Sequence, residues 1–300
     1  MATGNWTRRD FFRFSAVTGA VALGGPALLA GCSEVPQEGE GGALQRAKDA
    51  GSIKIGIAGE VPYGFTENGE VTGEAPEVAK AVFKAIGIPE VEATQVEFGQ
   101  LIQALNAGQY DMVAAGMAIL PERCENAQFS VVDYVTPTAL VVPKGNPQQI
   151  NNFDDLKAKG QIVAVLSGTV EQAVVESLGI PADKIQPYDG QPEMLQALLD
   201  QRAYCGALTD ISLRRMLEDN PTAPLEVTEG FVPVIDGKEQ IQAGGFVFRK
   251  GDEDLVEAYN TELKKLQDSG EWLKIVEPFG FTEDNQVPDG VTTEKLCEAA

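Results

Sequence analysis

The chain contains no histidine. That absence removes imidazole general bases, serine–histidine triads and histidine metal ligands together. Basic side chains are also in deficit, with 23 Lys and Arg against 45 Asp and Glu and a formal net charge of −22. Binding to nucleic acid needs a cationic surface, so no nucleic-acid partner is expected. Acidity of this degree favours solubility and describes the surface, not the fold. Cysteine is scarce, with four residues, and aromatic residues make up only 7%. No second apolar span follows the N-terminal one, and no signalling module is recognisable, which argues against a receptor sensor domain.

What is present begins with an address. Paired Arg8 and Arg9 precede Phe11 and Phe12, and an apolar stretch rich in Gly, Ala, Ser and Thr follows, interrupted by Gly24-Gly25-Pro26. This reads as a twin-arginine export signal over residues 1–31 and not as a retained membrane span. The segment closes on Leu29-Ala30-Gly31-Cys32, similar to the lipobox of bacterial lipoproteins. Cys32 is then the lipidated N-terminal residue of the mature chain, anchored to the outer face of the cell membrane. Loss of residues 1–31, with three arginines against Asp10, leaves the remainder still more acidic. Residues 32–50 read as the lipidated cysteine and a solvated tether.

An exported location permits a disulfide. Cys124, Cys205 and Cys297 allow three pairings with one thiol left over. Cys205 lies in an apolar run and reads as a buried thiol, which favours Cys124 with Cys297.

From Gly51 onward, short apolar runs alternate with helical periodicity, the pattern of an α/β architecture with largely parallel strands. Strands are expected over 53–58, 91–96 and 111–116, then over 161–166, 184–188 and 203–208, with helices between. Two stretches resemble each other, residues 139–146 and 245–252; each is an apolar strand running into Lys-Gly-Asn or Lys-Gly-Asp. They bracket about 100 residues, the size of a small domain. The predicted organisation is a first lobe over 51–142, a second over 143–244, a return to the first over 245–283 and a tail over 284–300, with the two matching strands as hinges.

Gly-Ile-Ala-Gly-Glu-Val-Pro-Tyr-Gly-Phe at 56–65, Ala-Gly-Gln-Tyr-Asp-Met-Val-Ala-Ala-Gly-Met at 107–117 and Gly-Thr-Val-Glu at 168–171 resemble the solute-binding proteins of ABC importers in the polar amino acid uptake class. Within that class Gly-Glu-Ala-Pro-Glu-Val-Ala at 73–79, Pro-Glu-Arg-Cys at 121–124, Val-Ile-Asp-Gly-Lys at 234–238 and Glu-Pro-Phe-Gly-Phe-Thr-Glu at 277–283 are similar to the ectoine/hydroxyectoine-binding branch. The resemblance implies a two-lobed periplasmic-binding-protein fold of type II, a monomer that passes a small zwitterionic solute to a membrane permease. No catalysis, cofactor or metal is implied.

It also implies a ligand shell of Glu60, Tyr63, Phe98, Arg123, Thr169 and Glu171, which residue chemistry supports independently. Arg123 offers a guanidinium fork to a carboxylate. Thr169 opens a helix whose first N–H groups suit an anion. Glu60 and Glu171 are counter-charges for a cation, and Tyr63 and Phe98 are flat faces for cation–π contact. Close relatives tend to carry a third aromatic where Ala118 stands, so the box is expected to be open there. Two other readings use the same fold. A polar amino acid receptor would hold the α-ammonium on an aspartate such as Asp210, which also reads as a helix cap. A cyclohexadienyl-dehydratase-like lyase could use Glu60 and Glu171 as an acid–base pair.

Overall fold

Alternating β-branched runs and amphipathic stretches generate two sheets, each sandwiched between helices. The computed structural model describes residues 42–235 and 237–298; the arginine pair and Cys32 lie outside the described residues. Eleven strands make the two main sheets: β1 (Ser52–Ile57), β2 (Glu90–Gln95), β3 (Met112–Ala118), β4 (Gln128–Phe129), β5 (Tyr134–Thr136), β6 (Thr138–Pro143), β7 (Val163–Leu166), β8 (Ile185–Tyr188), β9 (Cys205–Thr209), β10 (Leu225–Val227) and β11 (Gln242–Phe248). The first sheet runs β2-β1-β3-β11-β4, with β5 also paired to β11. The second runs β8-β7-β9-β6-β10.

Each sheet therefore repeats one plan. Three parallel strands lie in the spatial order second, first, third, and an antiparallel strand from a crossing segment flanks the third. Strands covered on both faces must be apolar throughout, and β6, β9 and β11 are buried along almost their whole length. Helix Glu74–Ile86 shows how the layers are held: Val78, Ala79, Val82 and Phe83 form its buried stripe, and Gly87 ends it in the left-handed region. That stripe packs with Tyr259 and Leu263 of helix Glu253–Ser269 on one face of the first sheet. A second cluster around Leu101, Leu105 and Val113 covers the other face.

The chain changes sheet twice. It leaves the first sheet after β5 and joins the second at β6, so Pro137 marks the first crossing; the return occupies the stretch between β10 and β11. This moves the first crossing back from the expected residue 143. The look-alike strands are members of different sheets, and Ala139–Val142 are completely buried, as a central strand must be and a connector is not. The expectation of a tether through residue 50 also needs correction. Ala43–Ala50 is a helix with Ala43 and Ala47 buried, and the Leu44 N–H donates to the Asp254 carboxylate at 3.0 Å. Its polar face is solvated, but its alanine face is buried.

Cys124 and Cys297 form a disulfide with Cα atoms 5.7 Å apart. It fastens the one-turn helix Pro121–Cys124 to helix Thr293–Glu298. Cys205 is a buried free thiol, and burial raises its pKa to about 12. Among the described residues no helix is long and apolar enough to cross a membrane.

Candidate ligand-binding cleft

Open α/β sheets present their ligand-binding loops beyond the carboxyl ends of the parallel strands. Here two such edges face each other. From the first sheet, Glu60 and Tyr63 follow β1, Phe98 follows β2 and Arg123 follows β3. From the second, Thr169 and Glu171 follow β7, and Thr209 ends β9. All six residues expected in the ligand shell line one narrow space of about 20 Å³, together with Gln242 and Thr209. That is far below the ~300–1,000 Å³ typical of small-molecule sites, so a ligand enters only when the walls of the cleft part. Larger recesses exist, such as one lined by Trp272 and Val287, but that recess is walled by the first lobe and tail alone. A wider acidic opening shares Glu60 and Phe98 with the cavity and continues to Glu97, Asp189 and Glu193; it forms the mouth.

Two carboxylates and one guanidinium dominate the electrostatics. Glu60 is 8% exposed and accepts from the Ser212 hydroxyl at 2.7 Å. Burial pushes its pKa up to about 7, against the pull of that hydrogen bond, and nearby Glu171 adds to the rise. Glu171 is 2% exposed, and burial raises its pKa too, opposed by the Gln242 amide, its own backbone N–H and Arg123. Arg123 is half-buried, its guanidinium 5.4 Å from the centre of the Phe98 ring. Burial lowers its pKa to about 10, which still leaves it charged at neutral pH. With both carboxylates ionised the site carries one negative charge in excess, which a cationic group would satisfy.

Arg123 also spans the cleft. Its Nη1 donates to the Ala118 carbonyl and its Nη2 to the Gly168 carbonyl, both at 2.8 Å. The backbones meet closely there: Gly168 has φ +79°, and a Cβ on it would stand 2.8 Å from the Gly99 Cα. Only glycine allows both the turn and the approach. Tyr63 donates its hydroxyl to Thr209 at 3.0 Å and stacks on Tyr134 with ring centres 5.3 Å apart. Gly116 has φ +62° and lies so close under the Tyr63 ring that a Cβ would overlap it. Farther out, the Gln191 amide accepts from the Val61 N–H at 3.0 Å and donates to the Val61 carbonyl at 2.9 Å. This is a two-point clasp between the lobes.

Thr169 is the N-cap of helix Val170–Ser177, but its hydroxyl proton goes to the Leu166 carbonyl at 2.8 Å. The Glu171 carboxylate takes its own backbone N–H, so the helix start already has an anion of its own. Ala118 is 8% exposed and shares the cavity wall with Val170 and Leu208. The side expected to be open is therefore closed by aliphatic groups from the second lobe. Asp210 turns away from the cavity: it accepts from the Thr136 hydroxyl at 3.0 Å and pairs with Arg214 at 3.5 Å, while Thr209 caps the helix.

Sequence reasoning overlooked Thr209, Ser212, Gln191 and Gln242. Thr209 and Ser212 carried a usable signal, a strand running into a cap as at Leu166 to Thr169. Gln242 carried none, because it begins an antiparallel strand.

Comparison with known proteins agrees with this fold. Residues 53–283 match the family described as bacterial extracellular solute-binding proteins, family 3. A probable amino-acid ABC transporter periplasmic-binding protein, y4tE of Sinorhizobium fredii, is 32% identical over 95% of this chain and 93% of its own. The crystal structure of EhuB in complex with hydroxyectoine superposes with a TM-score of 0.78 at 32% identity, covering 86% of this chain and 98% of that one. The ancestral amino acid-binding protein AncCDT-1, a precursor of cyclohexadienyl dehydratase, reaches 0.68 at 28% identity, covering 79% and 98%. The chain belongs to the bacterial extracellular solute-binding proteins, family 3, and is the extracytoplasmic solute-binding component of an amino-acid-type ABC importer.

Proposed function

We propose that the cleft captures ectoine or hydroxyectoine, compact zwitterions with a carboxylate and a flat cyclic amidinium. The observation that carries this reading is the meeting of Glu60 and Glu171, from opposite lobes, on a small cavity that also holds one guanidinium and two aromatic rings. Two carboxylates on one cavity favour a cation whose charge is spread over separate N–H groups, one for each. The rings of Tyr63 and Phe98 add cation–π attraction, ~0.5–2 kcal/mol each when desolvated. Arg123 takes the carboxylate, and the acidic mouth draws the cationic end inward. The similarity to EhuB in complex with hydroxyectoine supports the same ligand class. In this reading the protein is exported through its twin-arginine signal, held at the membrane by lipid on Cys32 and binds without catalysis.

A polar amino acid is the second reading, favoured by the similarity to the probable amino-acid protein of Sinorhizobium fredii. Against it stands Asp210, which is engaged by Thr136 and Arg214 outside the cavity. Calorimetric titration of residues 42–300 with ectoine, hydroxyectoine, proline, glycine betaine, arginine and glutamate separates the two. Tightest binding is expected for ectoine or hydroxyectoine; tighter binding of arginine or glutamate assigns the cleft to amino acids.

A further inference from the structure

Three buried polar groups form a line from the lobe crossing to the cavity. Gln242 Nε2 donates to the Glu171 carboxylate at 2.6 Å and also to the Thr138 hydroxyl oxygen. Thr138 is fully buried, Glu171 is 2% exposed and Gln242 6%. Their places in the chain matter as much as the bonds. Thr138 is the first residue after Pro137, where the chain enters the second sheet, and Gln242 is the first residue of β11, where it re-enters the first. Gln242 lies opposite Thr136 in the β5–β11 register. One side chain thus touches both crossings and a carboxylate of the cleft.

The choice of an amide has a chemical consequence. Lysine or arginine at this position would also hold Glu171, but would neutralise it and stand in for a ligand cation. A carboxamide supplies two N–H groups with no net charge. It orients the carboxylate and leaves its charge available.

We propose that Gln242 is a positioning residue, anchoring Glu171 to Thr138 at the lobe crossing with an uncharged donor so that the carboxylate faces a ligand cation. The inference rests on the reading that Glu171 meets that cation. The charged groups facing Glu171 are Glu60 and Arg123; Thr169 and the residue's own N–H also bond it. Of the groups that hold Glu171 ionised against burial, the Gln242 amide contributes most.

The test uses Gln242→Met, which keeps the length and removes the donors, and Thr138→Val, which removes the anchor. The first readout is the carboxyl ¹³C titration of Glu171 in protein without added ligand, assigned with Glu171→Gln. Its midpoint is expected to rise by about one pH unit or more in Gln242→Met, the loss of one hydrogen bond to a charged group, and by less in Thr138→Val. The second is hydroxyectoine affinity against pH: Gln242→Met should bind about tenfold more weakly at pH values below the measured Glu171 midpoints and approach wild type well above them. An unchanged Glu171 midpoint overturns the proposal, and so does a loss of affinity equal at every pH, which would mark a packing role. If wild type ignores hydroxyectoine while the Glu171 midpoint still moves, the ligand assignment falls and the positioning role stands.

Discussion

Lowering the pH should loosen the ligand while favouring the fold of the free protein, because one carboxyl group drives both effects with opposite sign. Glu60 has its pKa raised from 4.5 to about 7, with burial as the main cause. Between those values the folded state binds more protons than the unfolded state. The contribution of this group to stability is therefore fully present below about pH 4.5 and is lost as the pH rises through about 7. At ~1.4 kcal/mol per pH unit of displacement, the loss amounts to about 3 kcal/mol once Glu60 is fully ionised. A ligand cation seated against Glu60 requires that ionised form. Its apparent dissociation constant should thus rise about tenfold for each unit below pH 7, more steeply where Glu171 also takes up a proton. Glu60→Gln cannot titrate and isolates both effects. In urea denaturation without ligand, the stability of Glu60→Gln relative to wild type should improve by up to about 3 kcal/mol between about pH 4.5 and 8. In calorimetry it should bind weakly with an affinity much less dependent on pH, and wild type near pH 6.5 should release protons on binding. A wild-type dissociation constant that stays flat from about pH 5 to 8 would show that Glu60 does not meet the ligand charge.

Arg123→Ala should cost about 2–5 kcal/mol of affinity through loss of the carboxylate partner, and Arg123→Lys should recover only part of it, since a point charge cannot reproduce the fork; near-wild-type titration of the alanine variant would put the carboxylate elsewhere. Gln191→Leu removes both bonds to Val61 without touching the small cavity, and at ~0.5–1.5 kcal/mol for each hydrogen bond it should speed ligand release in stopped flow by about 5–150-fold; an unchanged release rate would reduce the clasp to a passive contact. Ala118→Phe should weaken binding, because the added ring must displace Val170 or Leu208 in a closed wall, at ~1–3 kcal/mol for overpacking; a gain in affinity would show that the wall yields. Cys32→Ala should free the protein from washed membranes with ligand affinity unchanged, and retention there would count against a lipid anchor.

The parts of the fold that could be read from sequence are those encoded locally. The expected strands at 53–58, 91–96 and 203–208 are found within a residue or two, because period and apolar length identify a parallel strand without its partners. Glu60, Arg123 and Thr169 were legible for the same reason, each following the carboxyl end of such a strand. The crossing was misplaced because β6 and β11 resemble each other along the chain, and likeness does not reveal which sheet each joins. Pairing is a non-local property, and it alone puts Pro137 between the sheets and carries Gln242 to Glu171. The helix Ala43–Ala50 was missed because its buried face consists of Ala43 and Ala47, too small to stand out from a solvated linker.

The Cys124–Cys297 bridge bears on the order in which the cleft is completed. Cys124 directly follows Arg123, and its partner emerges 173 residues later in synthesis. The turn that carries the guanidinium therefore cannot be pinned while the chain is growing, and thiols stay reduced inside most cells. Fastening waits until Cys297 has been made and has reached an oxidising compartment. The loop it closes is long, for which chain-entropy arguments put the stabilisation at about 5 kcal/mol. The covalent bond thus closes one residue from Arg123, on the side of the membrane where the solute is found.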